Sequence, residues 1–373
     1  MKLLSLTCER FRNLGAVTLD ASAGTTVAVG ENGQGKTNLL EALYFLATLK
    51  PLRASKLVEL VQWGQTQARV SARFVLGGAE RELSVVVGDG TRTALVDGKK
   101  ASSFEGYFGG VSVVAFTPDD LQVVKGGPDG RRAFLDRAVF NRAPAYLQES
   151  RDYARALKSR NRLLKSQAPA AHLAPWDDTL ARLGARVWAR RRALLLEVGP
   201  RTSEAFERIS RSGLEAHVWS APSGLDLLEF RAKSEDELQQ HLLRALDERR
   251  GRDLERGFTS SGPHTDDLTL ELDGRPAKAF ASQGQARALV LAWKVAEIEN
   301  LQAASGVLPL LLLDDVSSEL DPERNAFLMG YLKASGAQVV LTTTDERLVR
   351  DAAGTQARWY RVRGGTAEPY SSP

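Results

Sequence analysis

Gly30-Glu31-Asn32-Gly33-Gln34-Gly35-Lys36-Thr37 has the form G-x-x-x-x-G-K-T. It follows the apolar run 26–29 and precedes a helix-like segment, 36–49. A loop of this form between a strand and a helix is built to cradle phosphate. Its glycines let backbone N–H groups converge on the phosphates with no side chain in the way. The helix N-terminus adds partial positive charge. Lys36 is expected to reach the β- and γ-phosphates, and the Thr37 hydroxyl to bind Mg²⁺. The whole octapeptide is therefore the expected nucleotide cradle.

Far downstream, Leu310-Leu311-Leu312-Leu313-Asp314-Asp315 reads as a strand buried on both faces that ends in two carboxylates. Alone, such acids are solvated turn residues. Paired with a phosphate loop, they read as the second half of the site. Asp314 is then placed to hold Mg²⁺ directly or through water, and Asp315 to orient or deprotonate the attacking water. Between the two lies Ala281-Ser282-Gln283-Gly284-Gln285, just before a helix. Ser282 alone is an N-cap; with Gly284 it also makes an anion-receptive helix start. Ser318-Glu319-Leu320-Asp321 follows the acidic strand end.

The chain has 373 residues, 43% hydrophobic and 26% charged, with net charge +4. It has no apolar run of about 18 residues, the length that spans a bilayer. Cys8 is the single cysteine, so no intrachain disulfide can form. A reducing cytoplasmic setting is expected. Residues 1–116 alternate short apolar runs with turns, among them 3–6, 17–19, 26–29, 69–75, 82–87, 93–96 and 111–116. Residues 130–208 carry apolar residues at helical spacing, with a Pro-containing break over 169–175. Strand–helix alternation returns from Ser260: strands 268–272, 308–313 and 338–342, helices 285–302 and 322–333. Residues after about Thr366 read as a loose tail. The expected architecture is α/β: one ATPase lobe from residues 1–117 and 258–373, divided by a largely helical insertion at 118–257. Basic residues crowd 131–192, and Arg131, Arg132, Arg137, Arg142, Arg151, Arg155, Arg190, Arg191 and Arg192 form a pool for contacts to a phosphate backbone. No aromatic interleaving of the kind that stacks single strands accompanies them, so duplex or junction DNA is the better expectation.

The ordered set GENGQGKT, SQGQ, LLLLDD and SELD is similar to the ABC type of ATPase head. Within that type the chain resembles the RecF family of recombination mediators over nearly its whole length. The resemblance rests on the opening 6–14, on Phe116-Thr117-Pro118-Asp119-Asp120-Leu121, on Lys125-Gly126 with Arg131-Arg132-Ala133-Phe134-Leu135-Asp136, and on Gly262-Pro263-His264-Thr265-Asp266-Asp267. It implies a mixed-sheet head like that of the SMC proteins, without their coiled-coil arms. It further implies ATP and Mg²⁺ as cofactors, weak ATP hydrolysis, an ATP-dependent homodimer, and RecR- and RecO-type partners at double-stranded DNA and gap junctions, in support of recombinase loading. Ser282 of one copy would then meet the γ-phosphate held by the other, with Gly284 and Gln285 as further nucleotide-binding residues, so a monomer would hydrolyse poorly.

Asp315 stands where transporter-type cassettes carry Glu, and Thr342-Thr343-Thr344-Asp345 stands where they carry a switch histidine. The resemblance therefore assigns the γ-phosphate contact to Thr343 or Thr344. Arg12 and Asn13 are candidates to touch nucleotide. Gln122, or Asp119-Asp120, lies where a Mg²⁺-sensing glutamine is expected. The alternatives are a P-loop small-molecule kinase and a transporter ATPase subunit. A kinase has no use for the Ser282 or Ser318–Asp321 segments.

Overall fold

The computed structural model describes residues 1–53 and 56–371, without the side chains of residues 104 and 105. The strands are β1 (Lys2–Phe11), β2 (Leu14–Asp20), β3 (Thr25–Val29), β4 (Gln67–Leu76), β5 (Ala79–Gly88), β6 (Thr91–Val96), β7 (Lys99–Lys100), β8 (Val113–Phe116), β9 (Ala216–Trp219), β10 (Thr269–Leu272), β11 (Arg275–Pro276), β12 (Leu310–Asp314), β13 (Val339–Thr343), β14 (Arg358–Arg363) and β15 (Thr366–Pro369). The chain forms two compact units. One comprises Met1–Leu121 with Glu297–Pro373, the other Gln122–Ala296.

The first unit holds two six-stranded sheets. One is antiparallel, in the order β2-β1-β4-β5-β6-β7. The other runs β15-β14-β3-β13-β12-β8, parallel except for β15. Strands β12 and β13 are buried at every position, as a parallel sheet covered on both faces requires. The helix Lys36–Thr48 lies against strands of both sheets. It is apolar nearly all round, and Leu39, Leu40, Ala42, Leu43, Phe45, Leu46 and Ala47 are all buried, which is the pattern of a core helix. Each buried leucine or phenylalanine contributes about 1.5–3 kcal/mol. Gln338 joins the two sheets: its amide donates to Leu3 O, Ala21 O and Ala23 O at 2.6–3.0 Å and accepts from Leu3 N at 2.6 Å.

Residues 366–369 are no loose tail. They form β15, paired with β14 through Gly364-Gly365. Both glycines have positive φ, 54° and 77°, as the two central residues of a tight two-residue hairpin turn demand.

The second unit contains the helices Pro128–Arg142, Tyr146–Lys165, Ala170–Ser210 and Glu235–Glu248, with the small sheet β11-β10-β9. The break expected over 169–175 is shorter: the helix resumes at Ala170 and continues through Pro175 and Pro200 to Ser210. The expected boundary at 258 also differs. Strand β10 pairs with β9, not with a sheet of the first unit, and the unit extends to Ala296. Short strands look alike in sequence; their pairing partners decide where they belong.

Candidate functional site

The phosphate loop begins where β3 ends. Gly30 N donates to Thr343 O at 3.3 Å, which ties the loop to the end of β13. A Cβ at Gly30 would stand 2.3 Å from Val362 O, so the position has no room for a side chain. Gly35, at φ 114°, starts the helix Lys36–Thr48, and a Cβ there would meet Asn13 Oδ1 at 2.8 Å. Glu31, Asn32 and Gly33 are exposed. Lys36 is buried, and its ammonium donates to Gly30 O and Glu31 O at 2.8 and 2.9 Å. Burial pulls its pKa below the usual lysine range, while Asp315 and Asp314 act in the opposite direction.

Two supports of the loop escaped the sequence reading. The Gly364-Gly365 turn grips it from the side: Gly364 N donates to Gln34 Oε1 at 2.7 Å, and Gly365 N to Gln34 O at 3.0 Å. Asn13, a nucleotide candidate, ties the loop to its helix: Nδ2 donates to Gly33 O at 3.5 Å and Oδ1 accepts from Asn38 Nδ2 at 2.8 Å. The Gly-Gly pair was a legible turn signal, but nothing in its spacing pointed to Gln34. Arg12, the other candidate, forks onto the fully buried Glu41 at 2.8 and 3.2 Å and donates to Glu59 O at 2.9 Å. It satisfies a carboxylate inside the core helix, which would be costly to bury unpaired.

The acidic strand end closes on this loop. The Thr37 hydroxyl donates to Asp314 Oδ1 at 2.7 Å, and Thr342 Oγ1 donates to the same oxygen at 3.0 Å. Arg53 donates to Asp314 Oδ2 at 2.8 Å, a partner that no sequence signal announced. Asp315 sits in the left-handed region at φ 48°, which aspartate tolerates better than most residues. Its N–H is held by Thr342 O and Oγ1 at 3.1 and 3.0 Å. Burial raises its pKa, against the pull of Lys36. Its Oδ1 is buried and has no hydrogen-bond partner. A hydroxyl and a carboxylate 2.7 Å apart make a hard-oxygen donor pair that suits Mg²⁺, an ion that takes few protein ligands alongside substrate phosphates. Among the described residues no cluster of three or more His, Cys, Asp or Glu side chains could hold a metal.

Thr343 and Thr344 differ. Thr343 is fully buried, and its hydroxyl donates to Asp345 O at 3.0 Å and accepts from Asp345 N at 3.1 Å. Thr344 is exposed at the strand end. The hydroxyl of Thr343 is thus occupied by the turn. Asp120 makes a reciprocal cap with Thr117 at 3.0 and 3.3 Å and is buried, whereas Gln122 is exposed.

In the second unit Ser282 caps the helix Gln283–Ser305. Its Oγ accepts from Gln285 N at 3.1 Å, and Gln285 Oε1 accepts from Ser282 N at 2.8 Å, a capping box. Ser282 is exposed, and Gly284 and Gln285 are half-buried. The Gly262-Pro263-His264 block is an internal hub. His264 Nδ1 accepts from Tyr153 Oη at 2.6 Å, and Nε2 donates to Thr259 O at 3.0 Å; burial lowers the histidine's pKa. Arg191 donates to Pro263 O at 2.7 Å and forks onto Asp136 at 2.9 and 3.1 Å. Arg131 forks onto Asp267 at 2.7 and 2.6 Å.

This corrects the arginine pool. Arg131 and Arg191 are buried structural residues. Arg190 is engaged by Glu149, Arg142 by Glu197, Arg155 by Asp152, Arg132 by Asp129 and Asp266 O, and Arg192 by Phe230 O and Lys233 O. Their acidic partners lie up to 136 positions away, so a linear charge count overstates the basic surface. Among the described residues no helix is long and apolar enough to cross a membrane.

A phosphate loop between β3 and a core helix, an acidic end on parallel strand β12, one strand removed from β3, and an antiparallel second sheet define an ATPase head of the ABC type, as found in SMC proteins. Comparison with known proteins agrees. The model of the RecF/RecN/SMC N-terminal domain matches residues 2–368. "DNA replication and repair protein RecF" of Myxococcus xanthus is 64% identical over 98% of this chain and 96% of its own; that of Geobacter sulfurreducens is 38% identical over 99% and 100%. The chain belongs to the RecF family of DNA replication and repair proteins. Among solved structures, that of the recombination mediator protein RecF with ATPγS in the RecFOR pathway matches with TM-score 0.88 at 28% identity, over 99% of this chain and 98% of that one. An Smc head bound to the C-terminal winged-helix domain of ScpA matches with TM-score 0.57 at 18% identity, over 100% and 98%, a likeness of fold. The family sets aside the kinase and transporter alternatives.

Proposed function

We propose that this chain is an ATP-gated DNA-binding recombination mediator. It associates as a dimer on ATP, binds duplex DNA near single-strand gaps in the cytoplasm, and supports recombinase loading with RecR- and RecO-type partners. The observation that carries the reading is the 2.7 Å bond from Thr37 to Asp314, which joins the phosphate loop to the acidic strand end. The RecF structures with ATP and ATPγS support the choice of nucleotide, and their RecFOR setting supports the choice of partners.

Each residue then has a task. Lys36 leaves the carbonyls of Gly30 and Glu31 for the β- and γ-phosphates. Thr37 and Asp314 would hold Mg²⁺, which when bound neutralises phosphate charge. Asp315, with a buried oxygen lacking a protein partner, orients the attacking water and takes its proton. Ser282 of a second copy, exposed at a helix start, donates to the γ-phosphate from across the interface, and Thr344 does so from the same copy. A ligand shared between two copies favours the associated state, so ATP closes the dimer and slow hydrolysis opens it.

The test is ATP turnover with and without blunt or gapped duplex DNA across a salt series, with Lys36→Arg as control. The proposal requires DNA to raise turnover severalfold and affinity to fall steeply with salt. Turnover indifferent to DNA at low salt contradicts it.

A further inference from the structure

The Lys125-Gly126 pair has no part in the mechanism above, yet Lys125 stands beside the serine segment. Its ammonium donates to three backbone carbonyls: Ala277 O at 3.3 Å, Lys278 O at 3.2 Å and Ala281 O. These belong to the short helix Ala277–Phe280 and the residue that ends it; Ala277 O also accepts from Ala281 N at 3.0 Å, while the carbonyls nearer the helix end lack intrahelical partners. A lysine there meets both the free acceptors and the negative end of the helix.

The third acceptor matters most. Ala281 C=O and Ser282 N–H belong to one planar peptide unit. Lys125 holds that unit by its oxygen, and Gln285 Oε1 holds it by its N–H at 2.8 Å. With both ends of the plane held, the 281–282 peptide is fixed at the start of the cap, where Ser282 Oγ accepts from Gln285 N at 3.1 Å and the residue itself is exposed. Lys125 is itself anchored. Gly126 O accepts from the buried Arg131 at 2.7 Å, and Arg131 is locked onto Asp267. Gly126 N donates to Gln122 O at 2.8 Å. The support therefore runs from Asp267 through Arg131 and the Gly126 backbone to the Lys125 ammonium and the 281–282 peptide.

We infer that Lys125 is a positioning residue for Ser282: it orients the serine segment that one copy presents to the triphosphate held by another. The inference rests on the composite-site reading above. Lys125 touches no substrate; its effect passes through the 281–282 peptide.

Hydrogen exchange of the full-length chain, read together with ATP turnover, tests it. Lys125→Ala is expected to speed exchange at residues 281–285 at least tenfold and to leave residues 30–43 unchanged. Binding of a fluorescent ATP analogue to the Lys36 loop should stay within twofold. Turnover at saturating ATP and ATP-dependent association should each fall at least tenfold, with KM unchanged. Lys125→Arg should restore a measurable part, and Lys125→Ala with Ser282→Ala should be no worse than Ser282→Ala alone. If Lys125→Ala does not fold, Lys125→Gln, which keeps a neutral donor, serves the same comparison with a smaller effect. Unchanged exchange at 281–285 overturns the inference, and so does raised exchange with wild-type turnover. If the wild-type chain fails to associate with ATP, the composite-site reading falls, while the exchange data still decide whether Lys125 holds the segment.

Discussion

Thr37 and Asp314, 277 positions apart in the chain, are joined by a hydrogen bond of 2.7 Å. The hydroxyl opens the core helix, and the carboxylate ends the most buried strand of the parallel sheet. Besides the hydroxyls of Thr37 and Thr342, Asp314 meets the guanidinium of Arg53, so its charge is balanced before any ligand arrives. A metal ion would have to compete with Arg53 for that carboxylate.

Asp314→Asn should therefore separate nucleotide affinity from its magnesium dependence. Isothermal titration should show similar ATP binding in EDTA for wild type and variant. The gain in affinity on adding magnesium should shrink at least tenfold, about 1.4 kcal/mol, in the variant. An equal magnesium gain in both proteins would remove Asp314 from the metal site.

Asp315 is assigned to the attacking water, which needs a carboxylate at that point. Asp315→Asn should lower single-turnover hydrolysis by about 10²-fold or more while leaving ATP-dependent association intact. Asp315→Glu reaches further toward the water and should raise the single-turnover rate. Rapid-quench measurements decide both, and a fall in the glutamate variant would show that the shorter reach of Asp315 is not what limits the rate.

Gly30 faces the carbonyl of Val362 at a distance no Cβ tolerates, and Gly33 faces open space. Gly30→Ala should cost stability of about 1–3 kcal/mol by forcing a backbone shift and should weaken ATP binding. Gly33→Ala carries only the left-handed backbone penalty, about 1–2 kcal/mol. Urea unfolding and nucleotide titration of the pair read both effects. Equal nucleotide affinity in Gly30→Ala and wild type would show that the Val362 contact is not what shapes the loop.

Asp266 in the second unit is pushed up to about 6 by burial, against the hydrogen bond it accepts from Trp188 Nε1 and the nearby Arg191 and Arg132. A carboxyl raised in the folded state contributes most when protonated. Its stabilisation is full below pH ~4, the unfolded value, and is lost as pH rises through about 6. Asp266→Asn keeps an acceptor for Trp188 and removes the charge. The variant should match wild type near pH 4, gain on it between pH 4 and 6, and hold a constant advantage of roughly 2–3 kcal/mol above. Unfolding curves from pH 4 to 8 test this. A variant less stable than wild type at pH 8 would mean that the ionised form is satisfied by its arginines.

The strands around the nucleotide site were legible because their signals are local. Four consecutive leucines before two aspartates read as a doubly covered strand, and a glycine-rich loop between apolar run and helix read as a phosphate cradle. Ser282 was legible as a cap for the same reason. What stayed hidden depends on pairing across the fold. Arg12 and Arg131 look like surface cations until Glu41 and Asp267 are seen beside them. β10 looks like a continuation of the first unit until β9 is seen as its partner. Gly364-Gly365 forms a turn that only the structure brings against Gln34.

The account stands on one bound triphosphate being shared by two chains. Sedimentation velocity of wild type and Ser282→Arg, at saturating ATP and magnesium, examines that most directly. Wild type should shift from monomer to dimer on ATP, while Ser282→Arg should bind ATP with unchanged affinity and remain a monomer. A wild-type chain that stays monomeric, or a Ser282→Arg chain that dimerises and hydrolyses as wild type does, contradicts it.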